Sequence, residues 1–467
     1  MFYQLFSWCF HLLSIVLLTC IPVLFLTWLI SCGLLMAMKT NKNAKRIGIF
    51  HPYCNAGGGG ERVLWVLLKA LKTKYPNHQY VIYTGDQGVT KSDILSKAAS
   101  TFNIDTDLDV DFVFLKTRHW VEKEKYPRFT LLLQSLGSMI MAVEALFKFP
   151  PDIFIDTMGY SFSYPLFKYL GFCNVITYTH FPTISTDMLE NVASRREAVN
   201  NQGFIARSQF LSNMKLIYYR FFALIYGFMG RCADIALVNS TWTRNHIMKI
   251  WGGDRVHLVY PPCNIDVFLE LSSESKNKYQ VVSISQFRPE KDHIKQIHSF
   301  AKFLDKLTPE ESSKAKLVLI GSCRDSRDEE QVDKLRELCE SLDIHEKVNF
   351  ALNLSFVQLL DFLRTSNIGI HTMREEHFGI GVVELMAAGL IVVAHNSGGP
   401  KLDIIRPGEN GFLSETVDEY ADSLLEIVRS DENKLNVIRA NARKHVMKFS
   451  EKNFSSEIIK IFADYLK

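Results

Sequence analysis

Residues 46–71 read RIGIFHPYCNAGGGGERVLWVLLKAL. A short apolar run from Arg46 to His51 has the length of a buried strand, and the longer run from Glu61 to Leu71 has that of a helix. Between them Gly57 to Gly60 removes every β-carbon from the turn, so the backbone there can approach a phosphate or a sugar closely. Tyr80 to Thr84 supplies the next strand, and strand–glycine turn–helix–strand is the grammar of a parallel, doubly wound sheet. No Gly-Lys-Ser/Thr follows the glycines, so the turn is not a P-loop.

Working outward, further apolar strands are expected at Asp111 to Leu115, Ile153 to Asp156, Val175 to His180 and Ile235 to Asn239. The polar stretch Ser272 to Lys278 is the linker candidate, and the pattern then restarts. Strands are expected at Gln280 to Ser285, Lys316 to Ile320, Ile368 to His371 and Leu390 to His395. Helices are expected near His293 to Lys306, Val382 to Ala388 and Asp418 to Arg429. The fold class is therefore α/β, with two Rossmann-like domains facing a central cleft beyond the carboxyl ends of their strands. The expected divisions are a membrane anchor (1–38), an N-terminal acceptor domain (39–271), a C-terminal nucleotide-sugar domain (272–450) and a last helix (451–467) packing back on the first domain.

The anchor rests on charge. Residues 1–38 contain no Asp, Glu, Lys or Arg, and the apolar run from Leu12 to Met38 exceeds the roughly 20 residues that span a bilayer. A cleaved signal peptide would need a positive leading region and a shorter apolar run. Lys39, Lys42, Lys45 and Arg46 follow at once, which by the positive-inside bias places the remainder in the cytosol. Two later apolar stretches, Phe129 to Phe147 and Leu216 to Met229, read either as buried core helices or as helices at the membrane interface. Over all 467 residues the formal charge is +3, too small for a field that holds nucleic acid. Nine scattered Cys without a C-x-x-C pair suit free thiols rather than a disulfide framework or a zinc site.

The chemistry concentrates in Glu376-His377-Phe378-Gly379-Ile380, with a second acid at Glu384 and Gly389 closing the helix that follows. A strand ending near His371 and a helix starting near Ile380 put Glu376 in the loop and Glu384 on the helix. Free N–H groups at that helix start can hold a diphosphate, and each carboxylate can grip hydroxyls. This spacing resembles the E-x7-E signature of the retaining GT-B glycosyltransferases of the group-1 type. The resemblance implies that Glu376 touches the donor sugar and Glu384 the ribose, with Phe378, Gly379 and Ile380 in the donor-binding loop.

It also implies that Arg288 and Lys291, in Gln286-Phe-Arg-Pro-Glu-Lys291, stabilise the leaving diphosphate. The arginine that the family carries five residues before the lysine is replaced here by Gln286, with Arg288 two places on. His180, in Thr179-His-Phe-Pro-Thr183, matches a first-domain histidine placed over the donor sugar. Gly57, Gly58, Gly59 and Gly60 match the acceptor-side loop, and Ser397-Gly-Gly-Pro400 the loop beside the diphosphate. Within the family the chain resembles the membrane-anchored enzymes that extend dolichol-linked oligosaccharide. That implies a GDP-mannose donor, α-1,2 linkages with retention, and the cytosolic face of the endoplasmic reticulum membrane in single-pass topology, with other glycosyltransferases of the pathway as partners.

No metal or other cofactor is expected. Asp105, Asp107, Asp109 and Asp111 alternate like the D-x-D pairs of metal-dependent enzymes, but Val110 and Lys116 stand where a calcium loop needs Gly and Glu. Alternation with Leu108, Val110 and Phe112 reads instead as the solvated face of a strand. The rival readings are a glycosyltransferase with another donor or lipid acceptor, a nucleotide-sugar epimerase, and a non-catalytic glycan-binding subunit.

Overall fold

The structure, a computed structural model, describes residues 22–39, 44–102, 109–195, 207–271, 276–323 and 326–466. In the first half the apolar strands β1 (Arg46–Phe50), β2 (Gln79–Thr84), β3 (Asp111–Phe114), β4 (Ile153–Asp156), β5 (Asn174–Thr179), β6 (Ile235–Val238) and β7 (Val256–Leu258) form one sheet in the order β3-β2-β1-β4-β5-β6-β7. The second half repeats the plan with β8 (Asn277–Ile284), β9 (Lys316–Gly321), β10 (Val348–Leu352), β11 (Ser366–His371), β12 (Ile391–His395) and β13 (Phe412–Ser414), in the order β10-β9-β8-β11-β12-β13. Every described pairing is parallel. Strand order reverses between β1 and β4 in one sheet and between β8 and β11 in the other, and ligands of such sheets bind at that switch point.

Three strands escaped the sequence reading: β7, β10 and β13. All three lie at sheet edges. Buried on fewer sides, they lack the continuous apolar run that marks a central strand, as the exposed His257 and Asn349 show.

The halves are joined at both ends of the second one. Cys263, Ile265, Phe268 and Leu271 pack into the second half's core with Val446 and Phe449. The last helix, Glu451–Leu466, returns to the first half and buries Phe454, Ile458, Phe462 and Leu466 in the core beneath helix Gly59–Lys74. At about 1.5–3 kcal/mol for each fully buried large apolar side chain, that strap is held firmly. Arg62, two residues after the last glycine, pairs with Glu451 at 2.7 Å and so ties the strap to the cleft.

Helix Pro22–Ala37 leaves Val23 to Ile30 exposed but buries Leu35 in the first half's core; residues 1–21 lie outside the described residues. The basic flank is engaged rather than free. Lys39 donates to the Gly171 carbonyl at 2.8 Å and stands 3.6 Å from Asp152, and Arg46 donates to the Met38 carbonyl at 2.6 Å. Lys45 donates to the Tyr465 carbonyl, and Lys42 is outside the described residues.

Neither alternative for the two apolar stretches holds alone. Helix Thr130–Lys148 buries Met141, Ala145 and Leu146 yet exposes Leu136, Ile140, Val143 and Phe147; by length and composition it could cross a membrane. Helix Gln209–Gly230 buries Tyr219, Phe222 and Tyr226 and exposes Phe210, Met214, Ile217, Phe221, Leu224 and Phe228. Each exposed set recurs at alternating three- and four-residue steps, which is one face of a helix.

Candidate active site

The loops that follow β1, β5, β8 and β11 meet across the cleft. Gly59 lies so near the opposite half that a β-carbon on it would stand 3.0 Å from Ile380 Cδ1. Phe181 stacks on His377 with ring centroids 5.2 Å apart, and Trp242 lies 5.0 Å from the same ring. Asp403 accepts from the Thr241 amide at 2.8 Å and from the Tyr260 hydroxyl at 2.9 Å, so the two walls are hydrogen-bonded together.

On the first wall the glycine turn caps its own helix. The Glu61 carboxylate accepts from the Gly58 amide at 2.5 Å, and its other oxygen stands 3.4 Å from His51 Nε2. His51 is fully buried, with Nδ1 2.7 Å from the Thr157 hydroxyl. The Gly58 donor is thus already used, and the loop presents a neutral, close-approach surface. Gly57, at φ +90°, takes a conformation that side chains disfavour. A β-carbon at Gly60 would lie 3.6 Å from His180 Nε2.

That Nε2 is buried and has no hydrogen-bond partner among the described residues. Burial, with His51 beside it, lowers the His180 imidazole to about 4, so it is neutral near pH 7. Beyond Phe181 a pocket of about 200 Å³ is lined by residues that include Gln134, Ser138, Ser161, Phe162 and Thr183; Ser161 Oγ is buried there without a partner among the described residues.

The second wall carries the charge. Lys291 Nζ stands 2.5 Å from Glu376 Oε2, and His371 Nε2 stands 3.1 Å from the same oxygen. Burial alone would raise the Glu376 carboxyl, but the hydrogen bond from His371 and the charge of Lys291 hold it well below the usual carboxylate range. Its loop is clamped from behind: the Glu375 amide donates to Ser397 Oγ at 2.8 Å, and the Gly399 amide donates to the Glu376 carbonyl at 2.7 Å. β-Carbons at Gly398 and Gly399 would fall 2.3 Å and 2.4 Å from the Glu376 and Phe378 carbonyls, so this approach requires glycine. The Ser397–Gly399 segment therefore shapes the acidic loop.

Gly379, at φ +111°, caps helix Ile380–Ala387 under the buried Phe378, and the Ile380 and Gly381 amides make no hydrogen bond among the described residues. Glu384 lies on that helix, and its carboxylate also has no hydrogen-bond partner among the described residues. Burial pushes its carboxyl up to about 7, moderated by Arg62. The Arg288 side chain stands apart: half-exposed, its guanidinium lies 3.8 Å from Glu290, and among the described residues only the Arg288 carbonyl, which accepts from the Lys291 amide at 3.0 Å, joins it to Lys291. Asp109 pairs with Lys72 at 2.9 Å, Asp111 opens β3, and Asp105 and Asp107 lie outside the described residues.

The sequence reading missed His51, Glu61 and His371. Each ends or follows a strand beside a motif residue, and that position was the signal available. His377 was passed over although it lies inside the motif; its contact with Phe181 and Trp242 crosses between halves, which sequence spacing cannot show.

Residues 44–251 match the family described as "ALG11 mannosyltransferase N-terminus", and residues 268–445 match "Glycosyl transferases group 1". The chain is 49% identical to the GDP-Man:Man(3)GlcNAc(2)-PP-Dol alpha-1,2-mannosyltransferase of Mus musculus, over 97% of this chain and 94% of that protein. It is 44% identical to the protein of the same name from Dictyostelium discoideum, over 90% and 85%. Among solved structures, sucrose-phosphate synthase from Thermosynechococcus elongatus superposes with a TM-score of 0.64 at 16% identity, over 90% of this chain and 99% of that one. Anabaena Alr3699/HepE in complex with UDP and glucose superposes with a TM-score of 0.59 at 15% identity, over 90% and 99%. These two likenesses establish the GT-B fold.

Proposed function

Because the chain belongs to the family of these α-1,2-mannosyltransferases, we propose that it carries mannose from GDP-mannose to a dolichol-diphosphate-linked oligosaccharide, forming α-1,2 linkages with retention. The observation that carries the reading at the level of residues is the pair of carboxylates on one loop–helix turn, one tied to a cation and one open, facing the glycine turn and His180.

In this reading GDP lies on the second wall. The diphosphate meets the Ile380 and Gly381 amides and Lys291, and Glu384 accepts hydrogen bonds from the ribose hydroxyls. Mannose then lies between Glu376 and His180. The leaving diphosphate gains negative charge as the glycosidic bond breaks, and Lys291 offsets it in a cleft with little water. A donor phosphate oxygen takes the proton of the attacking acceptor hydroxyl on the same face, which retains the anomeric configuration. Neutral His180 has Nε2 free for a sugar hydroxyl. The pocket behind Phe181 suits the acceptor's terminal sugar, with aromatic walls and the open Ser161 hydroxyl. Lys291 supplies the charge that a divalent ion would supply elsewhere, so the reaction proceeds without a metal.

The body sits on the cytosolic face of the endoplasmic reticulum membrane behind one N-terminal span. The exposed apolar faces of Thr130–Lys148 and Gln209–Gly230 support that seat; the helices meet where Phe129 packs edge-on against Tyr218, 5.3 Å between centroids. Incubation of the full chain with labelled GDP-mannose and lipid-linked trimannosyl acceptor should give an elongated product that α-1,2-mannosidase trims back. Preference for a UDP-sugar, or turnover of donor without acceptor, would refute the reading.

A further inference from the structure

The Glu376 carboxylate has two partners, and both bind one oxygen. Lys291 Nζ and His371 Nε2 converge on Oε2 at 2.5 Å and 3.1 Å, while Oε1 makes no hydrogen bond among the described residues. An ionised carboxylate can only accept, so the hydrogen bond requires the proton of His371 to be on Nε2. Lys291 is not free to serve only Glu376. On the proposed reading the donor's diphosphate needs that ammonium, and it must turn from the carboxylate when donor binds. One of the two ties holding Glu376 is then lost in the complex that reacts.

His371 is placed to keep the other. It is the last residue of β11, a central strand of the second sheet, and is 4% exposed. Its backbone is fixed by the Tyr420 hydroxyl, which donates to its carbonyl at 2.8 Å. The next residue, Thr372, directs its hydroxyl to the Lys291 and Asp292 carbonyls, each at 2.9 Å, and accepts from Gln296 at 3.1 Å. The segment bearing His371 is therefore bonded to the backbone of the loop that carries Lys291, whereas the Lys291 ammonium meets only side-chain atoms, Glu376 Oε2 and, at 3.1 Å, Met373 Sδ, from which a rotamer change can turn it. We infer that His371 is the positioning residue of Glu376: its Nε2–H holds Oε2 while Lys291 changes partner from carboxylate to diphosphate, so that Oε1 keeps facing the sugar. This rests on the donor-sugar role proposed for Glu376, and a rigid strand end is the right support for such a side chain.

The test is steady-state kinetics on the full chain with His371→Leu, His371→Gln, Glu376→Gln and the double variant His371→Leu/Glu376→Gln, with GDP affinity and thermal melts on each. His371→Leu should lower kcat roughly ten- to hundredfold, the scale of one hydrogen bond to a charged group, with donor KM within a few-fold and GDP affinity unchanged. His371→Gln, which keeps an N–H donor, should recover most of the loss. The double variant should be no worse than Glu376→Gln, because the histidine acts through the glutamate. Normal kcat in His371→Leu beside an impaired Glu376→Gln would overturn the inference and leave the role of Glu376 standing. Additive losses, or a His371→Gln as poor as His371→Leu, would also overturn it. Full activity in Glu376→Gln would instead remove the reading on which it rests.

Discussion

The two walls of the cleft share a strand order and a loop position but spend their acids differently. On the first wall Glu61 is consumed by the chain itself, holding the Gly58 amide and His51. On the second, Glu376 is held by a lysine and a histidine, and Glu384 by nothing described beyond the field of Arg62. Each wall also leaves a polar group open among the described residues: the buried His180 Nε2 on the first, the half-buried Glu384 carboxylate on the second. A buried group left unpaired costs stability, about 1–3 kcal/mol for a neutral one. A chain that carries two open groups facing one cleft has the signature of a ligand that completes their hydrogen bonds. The pinned acid of the first wall sets the shape of its loop, that of the second is held by one oxygen so that the other can face the sugar, and the open groups take substrate hydroxyls. Charge separates the walls further: Lys291 lies on the second beside the Ile380 and Gly381 amides, which make no hydrogen bond among the described residues, and the proposed reading puts the nucleotide there.

That contrast breaks most visibly at Glu376. Glu376→Ala removes a group facing the positive charge that develops on the sugar ring and should lower kcat about 10²- to 10³-fold, or about 2.7–4 kcal/mol, with donor KM little changed. Glu384→Ala should leave kcat nearly intact and raise donor KM roughly ten- to hundredfold, the scale of hydrogen bonds to a charged acceptor. Similar KM defects with normal kcat in both would erase the division between pinned and open acids.

Titration sharpens it. With its carboxyl near 7 in the donor-free state, Glu384 is mostly protonated at pH 6 and ionised at pH 8. The ribose hydroxyls donate more strongly to the ionised form than to the acid, so donor KM should fall, by up to about tenfold, as pH rises across that range. Glu384→Gln should flatten the profile, and an unchanged profile there would assign the titration to another group. The smallest effect is expected from the acidic run of the first half: activity should survive EDTA and the pair Asp107→Asn with Asp109→Asn. Loss to chelator with recovery in manganese would overturn the metal-free mechanism.

The central strands and the acidic motif were legible in the sequence because each is local. A doubly covered strand writes its burial as an apolar run, as in Ile153 to Ile155, and a strand-to-helix turn writes itself as Glu376 to Ile380. Strands β7, β10 and β13 were not, since an edge strand is apolar on too few positions. The partners of Glu376 were half legible: Lys291 through its motif, His371 not at all, because a histidine closing an apolar strand looks like any buried histidine. The apolar faces of Thr130–Lys148 and Gln209–Gly230 show a further limit. Composition records that a helix is apolar all round, and only the packing tells which side the protein covers.

Calorimetric titration of GDP and GDP-mannose into the wild-type chain, Glu376→Ala and Glu384→Ala tests the division of the donor most directly, because it needs no acceptor and no turnover. Glu384→Ala should weaken both ligands by the same factor, since both carry the ribose. Glu376→Ala should not weaken GDP, which lacks the sugar and gains a freed Lys291. A loss of GDP affinity in Glu376→Ala equal to that in Glu384→Ala, or undiminished GDP binding in Glu384→Ala, would contradict the account.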